Sequence, residues 1–521
     1  MKRPILILLY IFGFSLYSLS SWAVSAEGLK TLSEKLDRWD VEETWPEVKE
    51  HLARDPRHPG LLDLAAQTAF HRGDYPEALR LMKAALEIEA DEKRKAYALF
   101  VEETIGVTRS FSHRESPHFR ISLDEKQDGI LTHYLIDALE KTYRFTAEHY
   151  GFNPNEKIRV EVFPDSKSFY FATTLSARDI EVAGAVGIAQ FNKLMVLSPR
   201  ALVHGYRWLD AISHEYMHLL ILRVTSNMAP IWFHEGLAKY DEARWRSGST
   251  YLNPLYQSLL SRAYRDGKLI GFEKMEPSLL KLETPDDVQL AYAQAASAIE
   301  YIVAKAEHGG LTEIMKRMGT SSSKGASEAI QNVLSMGFDE FEKSWKDYLA
   351  SKGLKDVAGV HVRRYKIKEG KADEERLDMA EIKSMVARNK AHLGDLLKER
   401  GRMEAAVLEY RRALTETQES VPILNRLSDV LIIMDRNEEA LPLLNRAKDL
   451  SPDHPTTYTA LGQTHLKLKD VVKAKEAFLE SIQINPFNPE VHQGLATAYE
   501  RLGNPAASLK EREIAKRLAG R

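Results

Sequence analysis

The chain contains no cysteine. That absence excludes disulfides, thiol nucleophiles, iron–sulfur ligation and cysteine-type zinc sites together. Any metal must therefore rest on His, Asp and Glu. An excess of charge of one sign is also missing: 72 Lys and Arg stand against 75 Asp and Glu, for a formal net charge of −3. Such a balance does not imply a polyelectrolyte partner such as nucleic acid. Long apolar runs are absent except at the amino end. With 44% hydrophobic and 28% charged residues over 521 positions, the composition suits folded globular domains. At roughly 100–200 residues per domain, about three are expected.

The amino end carries its own pattern. Lys2 and Arg3 precede an almost wholly apolar run from Ile5 to Leu19. Small residues follow, with Ser21-Trp22-Ala23 or Val24-Ser25-Ala26 as cleavage sites. Residues 1–26 thus have the layout of a secretory signal peptide and predict export. The competing expectation is an uncleaved anchor, because Ile5 to Val24 is about long enough to span a bilayer. An exported chain with no cysteine points to a bacterial envelope, periplasmic or secreted, with membrane attachment only if the segment is retained.

The carboxyl end repeats itself. Leu393-Gly394, Leu427-Ser428, Leu461-Gly462 and Leu495-Ala496 recur every 34 residues. Small residues follow at fixed offsets: Ala406, Ala440, Ala474 and Ser508, then Ala413, Ala447, Ser481 and Ala515. Small side chains at those points let two antiparallel helices pack closely in each unit. The spacing resembles the tetratricopeptide family over residues 386–521. Residues 27–112 carry a weaker copy, in which Ala66, Ala78 and Ala85 reproduce the offsets around a Gly73-Asp74-Tyr75 turn. There, residues 28–59 read as a degenerate preceding unit with Trp39 and Trp45 as core anchors, and a plain helical hairpin is the alternative. Repeats of this kind display a binding face, which implies a protein partner.

Between the repeats the pattern changes. His118–Leu123 and Ile158–Phe163 alternate like strands, Gly129–Tyr150 is an amphipathic helix, and Val182–Leu197 is Gly-rich and then β-rich about a turn at Asn192-Lys193. Helices then dominate to about Leu349. A few strands followed by many helices predict an α+β domain over residues 113–355. Residues 356–385 are densely charged and read as a linker or a solvated helix.

The chemistry lies inside that domain. His214-Glu215-Tyr216-Met217-His218 is H-E-x-x-H. On a helix, residues four apart project from one face, so both imidazoles can reach one ion while Glu215 sits beside it. A second segment, Pro230-Ile231-Trp232-Phe233-His234-Glu235-Gly236-Leu237-Ala238-Lys239-Tyr240, follows a short loop. Pro230 suits a helix start, and an antiparallel second helix would turn Glu235 back toward the two histidines. Two His and one carboxylate leave a fourth zinc position open, the composition of a catalytic site.

H-E-x-x-H followed by Trp-x-x-Glu-Gly-Leu-Ala-x-Tyr resembles the gluzincin metallopeptidases of the Peptidase MA-like families, over about residues 113–350. The resemblance implies a thermolysin-like (zincin) catalytic domain holding one Zn2+ on His214, His218 and Glu235. It further implies peptide-bond hydrolysis by water attack with Glu215 as general base. Related aminopeptidases place a transition-state tyrosine on a helix that Ala291-Tyr292-Ala293-Gln294 resembles, which makes Tyr292 the candidate and Tyr240 its rival. Thermolysin-type enzymes carry an Asp four residues after the glutamate ligand; here that position is Lys239. Asp210, Asp241 or Glu242 could replace it, although each reads as a solvated helix residue. The Gly184–Ala189 stretch lacks the amine-binding Glu of the aminopeptidase branch, and His234 stands where that branch has Asn, so endopeptidase action is favoured. The alternative function is a protein-binding tetratricopeptide scaffold with a catalytically idle zincin domain. Hydrolysis of a non-peptide substrate on the same site is a third reading.

Overall fold

The computed structural model describes residues 25–520 except 174, 177, 247–249, 321–324, 363, 371–372 and 418. Residues 1–24 of the expected signal segment lie outside the described residues. Among those described, no helix is long and apolar enough to cross a membrane. The chain forms two compact units that divide between Glu102 and Glu103.

The first unit is helical: α1 (Ala26–Asp37), α2 (Val41–Arg54), α3 (Pro59–Arg72), α4 (Tyr75–Ile88) and the first turns of α5 (Glu92–Thr108). The turn between α3 and α4 follows from Gly73, which takes the left-handed conformation at the end of α3, and from Asp74, whose side chain accepts the Glu77 N–H. Ala66, Ala78 and Ala85 are fully buried where the two helices meet. Trp39 is buried as expected. Trp45 is only half-buried and instead carries two cations on its ring, Lys49 at 5.4 Å and Arg72 at 5.3 Å from the centroid. A Trp that covers charged stems from above need not enter the core.

The second unit begins with a mixed sheet. Its strands are β1 (Phe111–Glu115), β2 (Phe119–Asp124), β3 (Ile158–Phe163), β4 (Gly187–Gln190) and β5 (Lys193–Leu197), in the order β1-β2-β3-β5-β4. The β2–β3 and β3–β5 pairs are parallel, whereas β1 and β4 close the two edges in antiparallel register. Phe191 and Asn192 both have φ near +55°, the conformation of the tight turn that joins β4 to β5. Two helices, α6 (Glu125–Asp128) and α7 (Thr132–Tyr150), connect β2 to β3, and α8 (Ser166–Ala172) follows β3.

The remaining helices cover the sheet and then leave it. They are α9 (Trp208–Thr225), α10 (Ile231–Asp241), α11 (Pro254–Arg265), α12 (Pro285–Met318, interrupted at Glu307), α13 (Ala326–Leu334) and α14 (Phe338–Ser351). The α9 helix is apolar on nearly every side because it lies between β4 and β5 on one side and α7, α10 and α12 on the other. Gly236 lets α10 approach α12 closely, since a Cβ there would stand 2.7 Å from the Ala295 carbonyl oxygen. Trp232, Phe272, Phe338, Phe341 and Trp345 fill the core below.

After α15 (Asp373–Glu381) come four antiparallel helix pairs: α16 (Met385–Glu399) with α17 (Met403–Glu416), α18 (Val421–Ile433) with α19 (Asn437–Leu450), α20 (Pro455–Lys467) with α21 (Val471–Ile484), and α22 (Pro489–Arg501) with α23 (Pro505–Ala519). The glycines at the repeat signature have a steric reason. A Cβ on Gly394 would meet the Tyr410 ring at 2.6 Å, and one on Gly462 the Phe478 ring at 2.5 Å.

These repeats pack directly on the sheet-bearing region. The Tyr206 N–H donates to the Ile484 carbonyl at 3.0 Å and the Trp208 indole to the Ile482 carbonyl at 3.0 Å. Both are last-turn carbonyls of α21, which lack partners within their own helix. A Cβ on Gly205 would stand 2.2 Å from the Ile484 oxygen. Arg207 donates to Asp453 (2.7 Å), Glu480 (2.8 Å) and the Pro452 carbonyl (2.9 Å).

Residues 356–385 include the solvated helix that their charge suggested, α15, but the segment is also anchored at several points. Val360 is buried with Val421, Leu424 and Leu450, Ile367 pairs with Leu202 as a β-bridge, and Ile382 is fully buried. A few apolar residues among many charges are enough to fix the path.

Candidate metal centre

Helix geometry delivers the three expected ligands to one point. His214 and His218 lie one turn apart on α9, and α10 returns after a short loop to place Glu235 opposite them. Glu235 Oε2 is 3.3 Å from His214 Nε2 and 3.5 Å from His218 Nε2. One ligand atom from each residue lies within 4.8 Å of the others.

The far side of His214 fixes its tautomer. Its Nδ1 donates to Glu242 Oε2 at 3.2 Å, which leaves the Nε2 lone pair facing a carboxylate oxygen. Two such electron-rich atoms 3.3 Å apart require a cation between them, either a proton or a metal ion. Burial opposes a charged His214, but its hydrogen bonds to Glu235 and Glu242 outweigh that and raise its pKa to about 9. The donor set suits zinc, and the residues therefore fit the ion that the sequence pattern implies.

Glu242 is the supporting carboxylate. It caps the end of α10 and is itself held by Lys239 Nζ at 2.8 Å. Burial would raise its pKa, yet Lys239 and His214 together hold it low. Lys239, four residues after Glu235, thus bears on His214 through Glu242. The sequence reading of Asp210, Asp241 and Glu242 as solvated residues is corrected here. Asp210 is buried and receives Trp245 Nε1 (3.0 Å) and Arg246 Nη2 (2.8 Å). Asp241 is buried and receives the Tyr150 hydroxyl. The available signal was spacing: Glu242 follows Glu235 by seven residues, two helical turns along one face. Glu242→Gln removes the charge and is expected to weaken zinc binding about 10-fold, measured by competition with a chelating dye.

Glu215 lies against the sheet edge. The Ala189 N–H of β4 donates to it, and burial raises its pKa despite the nearby His218 and His214. A Cβ on Gly187 would stand 2.7 Å from Glu215 Oε1. The side chain that must yield is Glu215 from its Cγ outward, so Gly187→Ala should displace that carboxylate. Hydrolytic turnover is expected to fall about 100-fold with zinc retained, as read from steady-state rates and metal content together.

The two tyrosines separate. Tyr292 lies beside His214, with ring centroids 6.3 Å apart, and Lys239 Nζ is 5.6 Å from its ring centre. Burial, followed by the Glu235 charge, holds its hydroxyl well above its ordinary pKa, so it stays protonated and can donate. Tyr240 packs instead against Tyr251 in the core. His234 is 5.6 Å from His218 between ring centroids. Burial and then the His218 charge push its pKa down to about 3, so it adds no positive charge.

Residues 142–351 match the Peptidase MA superfamily, and residues 455–488 match the tetratricopeptide repeat. The chain thus joins a Peptidase MA-like region to tetratricopeptide repeats. No curated protein matches it. Similar solved structures include "Crystal structure of MamA", at 20% identity over 30% of this chain and 97% of that one, with a TM-score of 0.25. They also include "MamA 41-end from Desulfovibrio magneticus RS-1", at 20% identity over 28% and 79%, with a TM-score of 0.24.

Proposed function

We propose that this Peptidase MA-like protein is an exported zinc-dependent endopeptidase with a thermolysin-like catalytic fold, whose repeats recruit a protein partner. One observation carries the reading: His214, His218 and Glu235 converge, with Glu215 beside them against the edge strand β4. When bound, zinc supplies Lewis-acid polarisation of a carbonyl and lowers the pKa of water to about 7. Everything else falls to the chain's own residues. An extended peptide adds along the edge strand β4 by main-chain hydrogen bonds at positions other than Ala189, whose N–H Glu215 takes, and this sets its scissile bond beside Glu215. Glu215 takes a proton from water and returns it to the departing amine. The Tyr292 hydroxyl donates to the oxyanion that develops. Glu242 holds His214 in the tautomer that leaves Nε2 free.

Endopeptidase action is supported by the absence of a carboxylate from Gly184–Ala189, which leaves a substrate's free amine without a partner there. Export rests on the pattern of residues 1–26. The test is zinc per chain by elemental mass spectrometry beside His214→Ala and Glu235→Ala. About one equivalent should disappear in each variant. Unchanged zinc in both would sink the reading and favour an idle scaffold.

A further inference from the structure

A second cluster of ligand-type side chains lies away from the first, where the repeats meet the peptidase-like region. His204 comes from the loop before α9, Asp378 from α15, and His454 from the start of α20. Asp378 Oδ1 is 3.3 Å from His204 Nε2 and 3.7 Å from His454 Nε2. One ligand atom from each lies within 4.8 Å of the others. His454 is 1% exposed and His204 7%.

The contacts that join His454 to Asp378 are long, 3.7 Å at the closest ring nitrogen. Neither ring nitrogen of His454 and not the Asp378 Oδ1 has a hydrogen-bond partner among the described residues, although buried polar atoms nearly always find one. His454 also stands at an N-cap without capping. Its counterpart one repeat later, Asn488, does cap its helix by accepting the Glu490 N–H. The imidazole is turned instead toward Asp378 and His204, with ring centroids 4.9 Å apart. The loop that presents His204 is pinned on both sides, by Val203 N–H to the Lys366 carbonyl and by Tyr206 N–H to the Ile484 carbonyl.

We propose that His204, Asp378 and His454 bind a divalent transition metal, zinc by their chemistry, that fastens the repeats to the peptidase-like region. Donor atoms about 2.0–2.2 Å from a tetrahedral zinc lie about 3.3–3.6 Å from one another, close to the spacings observed. Two imidazoles select against calcium and magnesium, which prefer oxygen. One positive group faces the cluster: Arg426 Nη1 is 3.9 Å from Asp378 Oδ2, on the oxygen not shared by the histidines. The site is independent of the first, because its three ligands come from other segments.

Zinc stoichiometry of the full chain is the test, after dialysis against a zinc buffer. The parent should hold about two equivalents, and the His214→Ala/His218→Ala double variant about one. Adding His454→Asn to the double variant should remove that last equivalent. Asn is the residue that caps the following repeat, so this change removes the ligand and supplies a cap. Asp378→Asn provides a second route to the same loss. A double variant that retains the parent's circular dichroism but holds no zinc overturns the proposal. So does zinc that survives both His454→Asn and Asp378→Asn. Loss of an equivalent on His454→Asn but not on His214→Ala would instead uphold this site and refute the catalytic one.

Discussion

Glu215→Gln is expected to lower kcat/KM for peptide hydrolysis by about 100- to 10,000-fold, the range that general-base catalysis contributes, while zinc content stays at the parent's value. Glu215 does not touch the ligand atoms; it is hydrogen-bonded by the Ala189 N–H on its other side. The amide keeps its shape and can still accept that hydrogen bond, so little else should change. Its oxygen, however, no longer takes a proton. His218→Ala should lose both activity and metal, because it removes one of three donors. The comparison is made with a quenched fluorescent peptide mixture for turnover and elemental analysis for zinc. A Glu215→Gln protein that hydrolyses at the parent's rate would refute the assignment of the base.

Arg207→Ala should cost about 2–4 kcal/mol of stability, a large effect for a residue outside the metal centre. The guanidinium lies between Asp453 and Glu480, at 2.7 and 2.8 Å, and also serves the Pro452 carbonyl. Its side chain is 23% exposed, which places the expectation below that for a fully dry pair. Truncation leaves Asp453 without this cation and Glu480 with Arg246 as its remaining salt-bridge partner. The measurement is urea unfolding of the full chain followed by tryptophan fluorescence. A loss below about 0.5 kcal/mol would show that the ions are as well solvated apart as together.

Much of the site could be read from the sequence because it obeys helix arithmetic. His214 and His218 are one turn apart, and a short loop forces α10 back along α9, so Glu235 follows. Glu242 was harder to see, since the residue at the familiar position is a lysine and the carboxylate acts from the end of α10. The strand β1 was missed altogether: His113, Arg114 and Glu115 lie on an exposed edge, where no alternation is imposed. Residues 356–385 misled for a related reason. Val360, Ile367 and Ile382 are too widely spaced to show a period, yet each is held by a partner distant in sequence. The fold's layers were legible from periodicity, whereas contacts between the repeats and the peptidase-like region leave no local trace.

The junction at α21 has a further consequence for how this chain can change over generations. Tyr206 and Trp208 address the carbonyls of Ile484 and Ile482, groups that every amino acid except in its side chain supplies alike. These two hydrogen bonds therefore place no demand of their own on side-chain identity; Ile482 and Ile484 are held instead by their burial in the repeat core. The side-chain demands at this junction fall on Asp453 and Glu480, which hold Arg207. A further restriction falls on Gly205, where any side chain would collide with the Ile484 oxygen. A survey of natural variants should find that glycine kept, and apolar residues at 482 and 484.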